Sequence, residues 1–139
     1  MVNNAEIESL KAIEKEASKR KQRVYNDYLD AKKKVTEAYD AVQIAWKYRC
    51  IAHQRLEHEF RVVKKTSEAY RNGQASVISL KKYQKAKMIF QEADATYQSA
   101  EERYSKCKEE RDYHKALFDF LQDEHTHLRI ELDKLMQKT

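Results

Sequence analysis

Five histidines and two cysteines are the residues of this chain best suited to metal or acid–base chemistry. His53 and Glu57 stand four apart, so a helix would carry them on one face, and His125 and His127 sit beside Glu124. A tetrahedral metal site needs three or four such ligands, and the rest would have to come from a neighbouring helix. The helix pairing derived below supplies no matching set, so no metal and no cofactor is expected. Cys50 and Cys107 form no zinc spacing motif, and two cysteines in an uncrosslinked chain suit a reducing compartment. Catalysis finds equally little footing. There is no glycine-rich phosphate loop and no nucleophile elbow, and two paired helices offer no concave pocket in which burial could shift a pKa. The expectation is a protein that is not an enzyme, with no catalytic residues.

Positive charge is the next chemical feature. The net charge is +5, with residues 1–71 holding 16 Lys and Arg against 11 Asp and Glu, and residues 72–139 holding 12 against 12. Arg20, Lys21 and Arg23 form one cluster and Lys32, Lys33 and Lys34 another. Such clusters bind nucleic acid, or an anionic membrane surface, by releasing counterions. Three consecutive lysines, however, spread around a helix at about 100° per residue, so a solvated face is the simpler account. These six residues stand as the nucleic-acid alternative, in the manner of a plasmid or phage accessory protein. No apolar run approaches the ~18 residues a membrane span requires, and the opening MVNNAEIESLKAIEKE lacks a secretion-signal layout. The expected compartment is the cytoplasm.

The elements that carry these residues follow from composition. Charged residues make up 37% of the 139, mean hydropathy is −0.97, and there is one glycine and no proline. Yet 41% are apolar and recur at helical spacing, so the chain is ordered. Asn72-Gly73 is a helix stop, because glycine enters the left-handed conformation without a Cβ clash. The spacing predicts helix one over about 5–71, a turn over 72–78 and helix two over about 79–137, with Ser76 or Ser79 as the second helix's cap. The fold class is all-α: a long antiparallel two-helix coiled-coil hairpin forming one domain over 1–139.

A 3-4 apolar spacing runs the length of helix one from Ile7 and Leu10 to Val63, Thr66 and Tyr70, interrupted by Glu14, Lys21, Arg49 and Glu59. On helix two, Tyr83, Phe90, Tyr97 and Tyr104 alternate with Ala86, Ala93, Ala100 and Cys107. Placing large against small predicts Tyr97 opposite Ala52, Tyr104 opposite Ala45, Phe118 opposite Ala31 and Tyr70 opposite Ser79. Polar seam residues, among them Glu14, Lys21, Arg49, Arg111, His114 and His125, would set the register. Two surpluses result. Ile7, Leu10 and Ile13 overhang the end of helix two, and Tyr25, Tyr39, Trp46, His53 and Phe60 line one flank of the seam, with Tyr48 and Val62 on the other. Exposed aromatic rows of this kind dock partners, so Ile7, Leu10, Tyr25, Tyr39, Trp46 and Phe60 are the candidate partner-binding residues. The partner is another protein or a second copy forming a four-helix homodimer; the plain alternative is that the rings only widen the internal seam.

IESLKAIEKEASKRK, Ile7 to Lys21, resembles the opening heptads of the FliJ and YscO family of bacterial type III export, and SLKKYQKAKMIFQEA, Ser79 to Ala93, resembles the start of its second helix. The resemblance is one of pattern and length over nearly the whole chain, and no motif carries a functional residue across. It implies a coiled-coil stalk that inserts into an ATPase ring and contacts the export gate or chaperones. The expected function is therefore a non-enzymatic adaptor or stalk mediating protein–protein interactions.

Overall fold

The computed structural model describes residues 4–69 and 77–138. The expected break at Asn72-Gly73, the Ser76 cap and the Tyr70 pairing lie outside the described residues. Two helices account for the rest, α1 over Asn4–Ala69 and α2 over Val77–Gln137. They pack against each other as a hairpin, with no strand among the described residues. Ser79 falls inside α2 instead of capping it. Neither helix is long and apolar enough to cross a membrane.

The pair divides into two compact units, and each helix contributes a segment to both. The first unit comprises Met1–Val35 and Lys106–Thr139, the second Thr36–Ser105. In the first, Ile7, Ala31, Val35, Leu121 and Leu132 are buried. In the second, Ala38, Val42, Ala45 and Ala52 of α1 are buried with Ala86 of α2. The 3-4 spacing predicts this burial throughout, since every described seam position on both helices is buried or half-buried. No large side chain among the described residues is fully enclosed. The cause is geometric: with one neighbouring helix, a seam residue is covered on one side only.

The register differs from the large-against-small expectation by one step along the seam. Ser79 meets Thr66, oxygen to oxygen at 3.3 Å, and Thr66 also donates to the Val62 carbonyl at 2.7 Å. Tyr97 leans on Trp46 at 5.2 Å and Tyr104 on Tyr39 at 5.7 Å, ring contacts that the expected pairing with Ala52 and Ala45 does not include. In the first unit Phe118 packs on Tyr25 at 5.1 Å, a contact outside the expected pairing with Ala31. The physical reason is that volume matching along a single stripe ignores the flanks. A ring that leans off the stripe onto another ring gains an aromatic contact, about 0.5–1.5 kcal/mol beyond its buried area. Counted two heptads along each helix from Thr66 and Ser79, Ala52 falls level with Ala93, small beside small.

The same slide removes the expected overhang. Ile7 is buried, and Leu10 shares an open groove of about 560 Å³ with Leu135, Glu6, Glu131 and Lys134. Only Ile13 keeps half its surface in solvent.

Candidate interaction surface

In the second unit a row of rings on the flank of α1, Tyr39, Trp46, His53 and Phe60, runs beside the seam rings of α2, Tyr83, Phe90, Tyr97 and Tyr104, each row spaced by sevens. A heptad step keeps each row on one side of its helix, so the rows meet ring by ring. Tyr39–Tyr104 and Trp46–Tyr97 are joined by His53–Phe90 at 5.5 Å and Phe60–Tyr83 at 6.0 Å. All four pairs are tilted, with planes 50–56° apart, so none is a face-to-face sandwich, the arrangement that ring quadrupoles disfavour.

Arg49 holds the middle of this ladder. Its guanidinium lies 5.3 Å from the Trp46 and Phe90 ring centres and 5.9 Å from that of Tyr97. Its Nε donates to Asp94 Oδ1 at 2.7 Å. A guanidinium suits this place because its flat face stacks on rings while its edge still reaches a carboxylate. The bond to Asp94 raises the Arg49 pKa above its ordinary value, against the opposing effect of burial. Tyr97 donates its hydroxyl to Glu101 Oε1. That bond, aided by desolvation and the Glu101 charge and opposed by Arg49, pushes the phenol pKa up.

Pairing does not bury the ladder. Tyr39 remains 48% exposed, Trp46 44% and Phe60 54%. Between the rungs lie two open grooves, one of about 450 Å³ walled by Trp46, Arg49, His53, Leu56 and Phe90, the other of about 460 Å³ walled by Leu56, Phe60, Lys64 and Tyr83. Rigid ring walls with gaps at heptad spacing form a surface able to seat apolar side chains of an approaching helix.

Of the candidate partner residues, Tyr39, Trp46 and Phe60 lie together on this ladder. Tyr25 belongs to the first unit, against Phe118 and Tyr28. Ile7 and Leu10 are in the first unit's seam and groove, not at an uncovered end. The basic candidates are dispersed. Lys21 turns into the seam toward His125, Arg23 pairs with Glu16 at 3.9 Å, Arg20 lines a groove with Ile13 and Leu128, and Lys32, Lys33 and Lys34 stay exposed. His53 reaches Glu57 at 3.6 Å, and among the described residues no three His, Cys, Asp or Glu side chains converge. Both thiols are free. The sequence marks Arg49 as a polar seam residue that sets register, but joins it neither to the rings nor to Asp94. The available signal was an arginine at a seam position three residues after the chain's single tryptophan.

In comparisons with known proteins, no family model, no curated protein and no solved structure matches the chain.

Proposed function

We propose that this chain is a non-enzymatic coiled-coil adaptor whose ring ladder receives a helix of another protein. One observation carries the reading: after pairing with α2, the α1 rings still present about half their surface to solvent in a row with grooves between them. Aromatic rings presented this way supply large apolar contact with little conformational entropy to lose, as interface anchors do. The most concrete form of the proposal comes from the sequence resemblance. It is a cytoplasmic stalk of bacterial type III export, engaging the ATPase ring and contacting the export gate or chaperones.

Trp46 is the chain's only tryptophan, so its fluorescence reports directly on the ladder. Titration with a purified type III export ATPase should shift Trp46 emission to the blue and shield it from iodide. Phe60→Ala should weaken that complex roughly tenfold, the loss of about 1.4 kcal/mol, with helicity by circular dichroism unchanged. Unaltered emission at saturating ATPase removes the stalk role, and full-strength binding by Phe60→Ala removes the ladder as its seat. The nucleic-acid alternative draws on the exposed Lys32, Lys33 and Lys34 but has Lys21 in the seam. Duplex binding that falls steeply between low and moderate salt would favour it.

A further inference from the structure

The side of α1 facing away from the ring ladder carries a second apolar stripe in the second unit. Ile44 is 56% exposed, Tyr48 66% and Ile51 62%. Asp40 and Arg55, both exposed, bracket them. At about 100° per residue these five side chains fall within an arc of about 80°, so they form one straight strip.

The order along the strip is acidic, apolar, basic, and it is self-complementary. A second copy laid antiparallel, with a two-fold axis between Lys47 and Tyr48, sets Ile44 against Ile51 and Asp40 against Arg55 at both ends. One turn further out, Glu37 meets His58. A parallel copy would instead set Asp40 on Asp40 and Arg55 on Arg55. None of Glu37, Asp40, Arg55 and His58 forms an ion pair with a described residue of its own chain. The charges of Glu37, Asp40 and Arg55 and the ring nitrogens of His58 are therefore available to a partner, and an isologous interface requires this palindromic arrangement.

We infer that this strip is a homodimer interface in which α1 of one copy crosses α1 of the other antiparallel about the Lys47–Tyr48 midpoint. The apolar centre supplies the attraction, and the charges at both ends fix direction and register. The interface is separate from the ladder, which stays open on each copy.

Sedimentation equilibrium on the full chain over a range of concentrations tests this. The wild type should show a reversible monomer–dimer equilibrium. Ile51→Glu places a carboxylate in the apolar centre and should weaken dimerisation at least about tenfold. Asp40→Arg sets arginine against Arg55, and Arg55→Asp sets aspartate against Asp40, so each should weaken dimerisation by a similar factor. The decisive result is their mixture. D40R and R55D chains at equal concentration should form heterodimers, because both pairs between positions 40 and 55 are then opposite in sign, and the double variant D40R/R55D should dimerise like the wild type. Circular dichroism on each variant confirms that helicity is retained. A chain that is monomeric at every concentration overturns the inference. So does a dimer indifferent to these substitutions, which would place self-association elsewhere, for example on the ring ladder.

Discussion

Each unit holds a cation in its seam, and the two accommodate it differently. In the first, Lys21 Nζ lies 3.2 Å from His125 Nδ1, and His125 Nε2 lies 2.8 Å from Glu14 Oε1. A lysine ammonium can only donate, so Nδ1 accepts and Nε2 carries the ring proton that goes to Glu14. The imidazole bridges the lysine and the carboxylate across the seam, itself only 7% exposed. In the second unit Arg49 is held by three ring faces and one carboxylate at the solvent edge. A chain of directional hydrogen bonds fails when one member is lost. Ring faces attract a cation over a broad area and give way gradually.

Breaking the first unit's chain should have the largest effect. His125→Ala leaves Glu14 and Lys21 half-buried without their bridge and should cost about 1–3 kcal/mol, read as a lower urea midpoint at unchanged slope. Leucine at 14, 21 and 125 together should be neutral or stabilising, because replacing a buried polar set with apolar side chains removes its desolvation cost. If the single truncation were silent, the bridge would have no structural weight.

A smaller loss is expected from Arg49→Ala, spread across the second unit as faster amide exchange in α1 near Trp46. Arg49→Lys should recover only part of it, since an ammonium cannot stack flat on rings while also reaching Asp94. Complete recovery by lysine would mean that charge alone matters there. The smallest effect belongs to Tyr97→Phe. The folded pKa of this phenol is raised above its ordinary 10.0, so its bond to Glu101 contributes below that pH and is lost as pH rises through the folded value. Absorbance titration of the phenolates should lose one ionisation above pH 10.0 in the variant, with only a small loss of stability at neutral pH.

The ladder's α1 row was legible in the sequence as Tyr39, Trp46, His53 and Phe60 at heptad spacing, but its pairing was not. Those rings read as surplus because the seam was treated as a single stripe. In the structure each rests on a ring of α2 and still keeps an outer face, which makes it both seam and surface. Glu14, Lys21 and His125 were legible as polar seam residues. That they bond to one another depends on their sharing a level, which spacing does not state.

Sequence alone determined which residues turn inward and that the chain folds as paired helices, because a 3-4 apolar spacing allows a helix only one face to hide. Tertiary structure decided where along that face the helices meet. A slide of three or four residues replaces one seam position by the next and leaves the stripe buried, so periodicity is nearly indifferent to it. The choice fell to contacts that periodicity does not encode: rings leaning onto flanking rings, Thr66 reaching Ser79, and Lys21 reaching His125.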